Sequence, residues 1–130
     1  MKKGFTLIEL LAVIIILAIV ALIATPIILN VVDDARISAA SSEANMIVSG
    51  INNYCATAEM KAQMDSDYTN ICADGVTSAE VAQMVNLGNA SISGDPTFSG
   101  GQITAITVVS NGYNVVMTGG TWADPTKPST

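Results

Sequence analysis

Two hydrophobic patterns follow one another along this chain. From Leu10 to Ala24 every residue is apolar, and across Thr25 and Pro26 the run continues to Leu29. A helix rising about 1.5 Å per residue crosses a hydrocarbon layer of roughly 30 Å within that length, so the segment can span a membrane. Beyond Pro26 the solid run becomes amphipathic. Ile37, Ala40, Ala44, Ile47, Ile51, Tyr54 and Ala58 recur at steps that place them on one helical face, with Arg36, Ser41, Glu43, Asn45, Asn52 and Glu59 opposite. The pattern predicts one helix from about Thr6 to about Ala62, apolar all round in its first half and packed on a small domain in its second. Two helices broken at Pro26 are the alternative, because proline removes a backbone bond and kinks a helix.

After the helix the periods shorten. "DSDYTNICADG", Asp65 to Gly75, reads as a loop. Its carboxylates Asp65, Asp67 and Asp74 lack the glycine and terminal glutamate of a calcium loop, and a solvated acidic turn is the better reading. Thr77 and Glu80 form a T-x-x-E capping box ahead of Val81, Met84, Val85 and Leu87, which predicts a short second helix stopped at Gly88. "QITAITVVS" and "YNVVMTG" are rich in β-branched residues, and Asn111-Gly112 between them is the favoured dipeptide of a type I′ hairpin. Trp122 starts or caps a further short strand. The tail "ADPTKPST" has no apolar period and reads as a loosely held terminus. A hairpin needs a third strand or a helix to be stable, so the sheet is expected on the apolar face of the long helix, an α+β arrangement.

Composition narrows the chemistry. At 130 residues the chain has room for one modest domain besides its apolar start. A net charge of −6 argues against general attraction to nucleic acid or anionic lipid. Histidine is absent from the sequence, which removes the usual general base, the commonest zinc ligand and the His-activated nucleophiles. We expect no catalytic residues, no metal, no cofactor and no direct nucleic-acid binding. Asn89-Ala90-Ser91 matches the N-glycosylation pattern, a motif short enough to arise by chance.

Charge also orients the apolar segment. Lys2 and Lys3 precede it and Asp33 and Asp34 follow it, which puts Met1 in the cytoplasm and the remainder outside. A cleaved secretory signal is the rival reading, but its core usually runs only about 7 to 15 residues and ends at a small-residue site. On the outer side Cys55 and Cys72 meet oxidising conditions, where a bridge would be worth about 3 kcal/mol in the chain-entropy model; two free thiols are the alternative.

Glu9 is the anomaly. An ionised carboxylate alone in an apolar layer is costly, and no Lys, Arg or His lies between Phe5 and Val32. If the chain were cut after Gly4, Phe5 would carry a new α-ammonium, and a neighbouring copy displaced along a common axis would present that ammonium to Glu9. A Glu at the membrane surface that needs no partner is the plain alternative.

These residues carry a resemblance. "KKGFTLIEL" resembles the processing motif of type IV prepilins and pseudopilins: a basic leader ending in Gly4, then Phe5, then Glu9, then the apolar run. The resemblance implies a type IV pilin-like α+β fold, with a long N-terminal helix packed on a small antiparallel β-sheet. It also implies cleavage after Gly4 and N-methylation of Phe5 by a prepilin peptidase, and a role for Glu9 in assembly, with Pro26 where such helices bend. Many relatives have a helix-melting glycine upstream of the proline; here no glycine lies between Gly4 and Gly50. The expected organisation is a leader (1–4), a membrane and filament-core segment (5–32), an amphipathic half-helix (33–62) and a small extracellular region (63–130). The implied function is a subunit of a homo-oligomeric helical surface filament, held in the cytoplasmic membrane before assembly and served by an assembly ATPase and a membrane platform protein. A pseudopilin of a type II secretion or DNA-uptake machine is the alternative, and an uncleaved membrane-anchored binding domain the second.

Overall fold

The structure, a computed structural model, describes residues 3–129; Met1 and Lys2 of the expected leader lie outside the described residues. A long N-terminal helix and a small, open antiparallel sheet make up an α+β pilin-like fold. Helix α1 runs Leu7–Met64 with Pro26 inside it. Next come α2 (Ser78–Met84) and five strands: β1 (Ser91–Ile92), β2 (Thr97–Ser99), β3 (Gln102–Ser110), β4 (Tyr113–Thr118) and β5 (Thr121–Trp122). Met1–Ala35 and Arg36–Thr130 are separate compact units.

In the second unit the core follows the helical period with two changes. Ala40, Ala44, Ile47, Val48, Ile51, Cys55 and Ala58 are buried. Tyr54, expected inside, is 38% exposed, and Val48 and Cys55 take the inner positions instead. The apolar stripe is wider than a strict i, i+3, i+4 count allows when a sheet rather than a second helix covers it. Against it lie Ile103, Ile106 and Val108 of β3, Tyr113, Val115 and Met117 of β4, and Val81 of α2. Ile47, Ile51, Val81, Val108 and Val115 are fully buried, each worth about 1.5 to 3 kcal/mol relative to exposure.

Two residues assigned by period to the outer face turn inward through their polar ends. Asn52 Oδ1 accepts the Ile103 backbone N–H at 2.9 Å, and Glu43 accepts a hydrogen bond from the hydroxyl of buried Ser110. Asn111 Nδ2 donates to the same Ser110 oxygen at 2.9 Å. Both ends of β3 are thereby fastened to α1.

The sheet centres on the β3–β4 hairpin, with Ser110 opposite Tyr113 and Ile106 opposite Met117. Asn111 and Gly112 have φ of 52° and 81°, the doubly positive geometry a type I′ turn requires. β1 pairs with the end of β3, and β2 pairs with its start through a register shift. These two strands are too short for alternation to reveal. Gly119 and Gly120 turn the chain into β5, which pairs with β4. Trp122 thus joins a strand and packs on the core.

The tail corrects an expectation. Thr126 exchanges both backbone hydrogen bonds with Asn114, at 2.7 and 3.0 Å, and the Lys127 ammonium lies 5.7 Å from the centre of the Tyr113 ring. Its two prolines remove donors only at their own positions, leaving Thr126 free to pair with the edge of β4. Helix α2 also ends sooner than Gly88 suggests. Val85 adopts an extended backbone (ψ 141°), and its methyls pack at the one glycine of α1, where a Cβ on Gly50 would lie 3.1 Å from both.

Candidate functional site

The first unit contains the residues that the sequence marks for processing and assembly. Lys3 to Thr6 are not helical, and Phe5 is 91% exposed. A Cβ built on Gly4 would meet nothing within 4 Å, so there is open space beside this residue. None of the residues from Phe5 to Val32 is buried. Apart from half-buried Ala24, the apolar side chains of this segment are exposed.

Glu9 is engaged at the helix entrance. Its Oε2 accepts from the Thr6 backbone N–H at 2.9 Å and from the Thr6 hydroxyl at 3.1 Å. In return the Glu9 N–H donates to Thr6 Oγ1 at 3.3 Å. This reciprocal pair is a capping box, in which a carboxylate satisfies donors that the first turn of a helix leaves free. "TLIE" is the same T-x-x-E pattern as "TSAE" at Thr77–Glu80, so its signal was present in the sequence; the apolar residues on every side drew attention to the cost of Glu9 instead. Thr6 is therefore the site residue that sequence reasoning missed.

Farther along, Pro26 sits inside α1 and offers no N–H to the Leu22 carbonyl. The Thr25 hydroxyl donates to the Ala21 carbonyl at 2.6 Å, reinforcing the turn just before it. The remaining pair of marked residues lies in the second unit. Cys55 and Cys72 are joined, with Cα atoms 5.6 Å apart. Among the described residues no group of His, Cys, Asp or Glu is placed to hold a metal ion.

Residues 1–25 match the family model described as the prokaryotic N-terminal methylation motif. The chain carries the type IV pilin and pseudopilin signature. That match covers the leader, Phe5 and Glu9 and stops one residue short of Pro26, so it speaks for the first unit alone. It marks a prepilin-type structural protein with an apolar N-terminal helix suited to membrane anchoring, handled in general by prepilin processing and pilus-assembly machinery. No curated protein and no solved structure matches the chain.

Proposed function

We propose that this chain is the structural subunit of a type IV pilus-like surface filament. It enters the cytoplasmic membrane as a prepilin with its N-terminus inside, is cut after Gly4 and methylated at Phe5, and polymerises through its N-terminal helix. The observation that supports this reading most is the coincidence, on one segment, of the methylation motif and an apolar helix with no buried residue from Phe5 to Val32. Such a surface is stable in lipid or against other copies of itself, and a head-to-tail contact that does not close yields a helical fibre. Glu9 supplies the charge that a neighbour's Phe5 α-ammonium meets, and burial within the helix bundle strengthens that attraction relative to water. Prepilin peptidase, an assembly ATPase and a platform protein are the partners this route requires.

The test replaces Glu9 in cells lacking the wild-type copy and compares fibre yield with detergent-extracted monomer. Glu9→Leu is expected to insert in the membrane normally and to lose fibres; Glu9→Gln falls between, keeping a hydrogen-bonding group without the charge. Wild-type fibre yield from Glu9→Leu refutes the charge pairing. Intact Met1–Gly4 in fibres from the native chain refutes processing and favours an uncleaved anchor.

A further inference from the structure

The apolar segment contains few hydrogen-bonding side chains, and they differ in whether they are satisfied. Thr6 and Glu9 bond one another, and Thr25 donates to the Ala21 carbonyl. Asn30, exposed in the same segment, has no hydrogen-bond partner for its carboxamide among the described residues. One backbone acceptor is also left over, because the Leu22 carbonyl faces Pro26, which has no N–H to give. Within its helical part, from Leu7 to Val32, the segment thus has one spare side-chain donor and one carbonyl that the proline leaves unpaired. Eight residues separate them, about 12 Å along a helix axis and beyond the reach of an asparagine side chain, so they cannot meet within one chain.

We infer that Asn30 sets the axial register between neighbouring subunits by donating to the Leu22 carbonyl of a second copy. The inference rests on the filament reading above. Burying an unpaired carboxamide among apolar side chains is unfavourable, so a helix bundle that covers this segment selects the displacement at which Asn30 finds an acceptor. A single buried asparagine among apolar positions fixes helix register in this way, at some loss of stability. Side chains lean toward the N-terminal end of their helix, so the displacement is somewhat under eight residues.

The test uses a cysteine pair that leaves Asn30 and Leu22 in place and reports on the turn beside them. Ile19 and Ile27 are both exposed and also eight residues apart. Fibres are prepared from the full chain carrying Ile19→Cys and Ile27→Cys, oxidised with copper phenanthroline and resolved on non-reducing gels. A ladder of linked subunits is expected from the double variant and not from either single variant. Adding Asn30→Leu is expected to leave fibres abundant while weakening the ladder by roughly five- to tenfold, the weight of one hydrogen bond. If the double variant disturbs assembly, Leu11→Cys with Ile19→Cys reports the same offset away from Asn30. A ladder unchanged by Asn30→Leu, or one equally strong from Ile27→Cys alone, overturns the register inference while fibres still form. Absence of fibres from the wild-type chain refutes the filament reading itself.

Discussion

Replacing both Cys55 and Cys72 by alanine removes the one covalent closure in the second unit. The two residues are 17 apart in sequence, and the chain-entropy model assigns a loop of that size about 3 kcal/mol at room temperature. Past Met64 the closed loop has little local structure. Tyr68 N–H donates to the Asp65 carbonyl, Ala73 N–H to the Asn70 carbonyl, and the Asp65 and Asn70 side chains accept from Asp67 and Cys72 two residues on. The Asp65 N–H donates to the Lys61 carbonyl at 2.8 Å and the Lys61 ammonium lies 5.9 Å from the centre of the Tyr68 ring, weak ties beside a covalent bridge that is the main restraint on fraying of the last turns before Met64. Cys55 is also 3% exposed, and truncating it leaves a small void besides.

Trp122 provides the assay. It is the sole tryptophan and packs on the core of the second unit, so its fluorescence follows that unit while the apolar segment is silent. Urea denaturation of the full chain in mild detergent should show the midpoint falling by about 1 to 3 M in the double variant, for a slope of about 1 to 3 kcal/mol per molar. Hydrogen exchange should quicken most between residues 55 and 64. A midpoint within about 0.3 M of the native chain would refute the loop-closure argument, since no slope in that range hides 3 kcal/mol. Peptide mapping that recovers both thiols free from native material removes its premise.

The remaining expectations follow from single contacts. Removal of Lys2 and Lys3 by cleavage after Gly4 shifts the formal charge from −6 to about −8, which intact mass and isoelectric focusing of native material check. Gly50→Ala gains about 1 kcal/mol of helix propensity but sets a methyl 3.1 Å from both methyls of the stiff Val85, a strain of about 1 to 3 kcal/mol. The Trp122 midpoint should therefore fall, and Val85→Ala in the same chain should restore it. Hydrogen bonds from the Thr77 backbone, and then from its hydroxyl, hold Glu80 below the usual glutamate pKa, against smaller opposing effects of desolvation and of Asp95. The folded state thus binds this proton less readily than the unfolded chain. The stabilisation is complete above the ordinary glutamate pKa and is lost as pH falls through the lowered one. Glu80→Gln should flatten that acid limb of the Trp122 stability profile.

How much of this was readable in advance depended on the length over which a signal repeats. Helix α1, with over a dozen turns, and the nine-residue β3 announce themselves through period and composition, and the Asn111-Gly112 turn follows from backbone sterics. Strands β1 and β2, at two and three residues, have no period to read and exist because β3 offers an unpaired edge, whereas the equally short β5 was marked by Trp122 alone. The inward turn of Glu43 and Asn52 was illegible for another reason. Binary patterning treats a side chain as wholly polar, whereas these reach past the core edge to a hydroxyl and a backbone N–H that only the tertiary fold brings near.

Glu9 shows where a local and a long-range reading of one residue meet. In the chain as it stands, the carboxylate is satisfied by Thr6, so its presence in an apolar segment is compatible with the monomer before any partner arrives. On the filament reading, both donors of the capping box belong to the residue directly after Phe5, which brings the carboxylate and the new α-ammonium into the same first turn. A neighbour's ammonium then competes with neutral donors for an oxygen that retains free lone pairs, since a carboxylate accepts about four hydrogen bonds and Thr6 uses two. Assembly on this view adds a charge to an existing network and need not break it. The Thr6 contacts hold the carboxylate in one rotamer at the level where the incoming charge arrives, so the pairing is formed with less loss of side-chain freedom than a mobile glutamate would suffer.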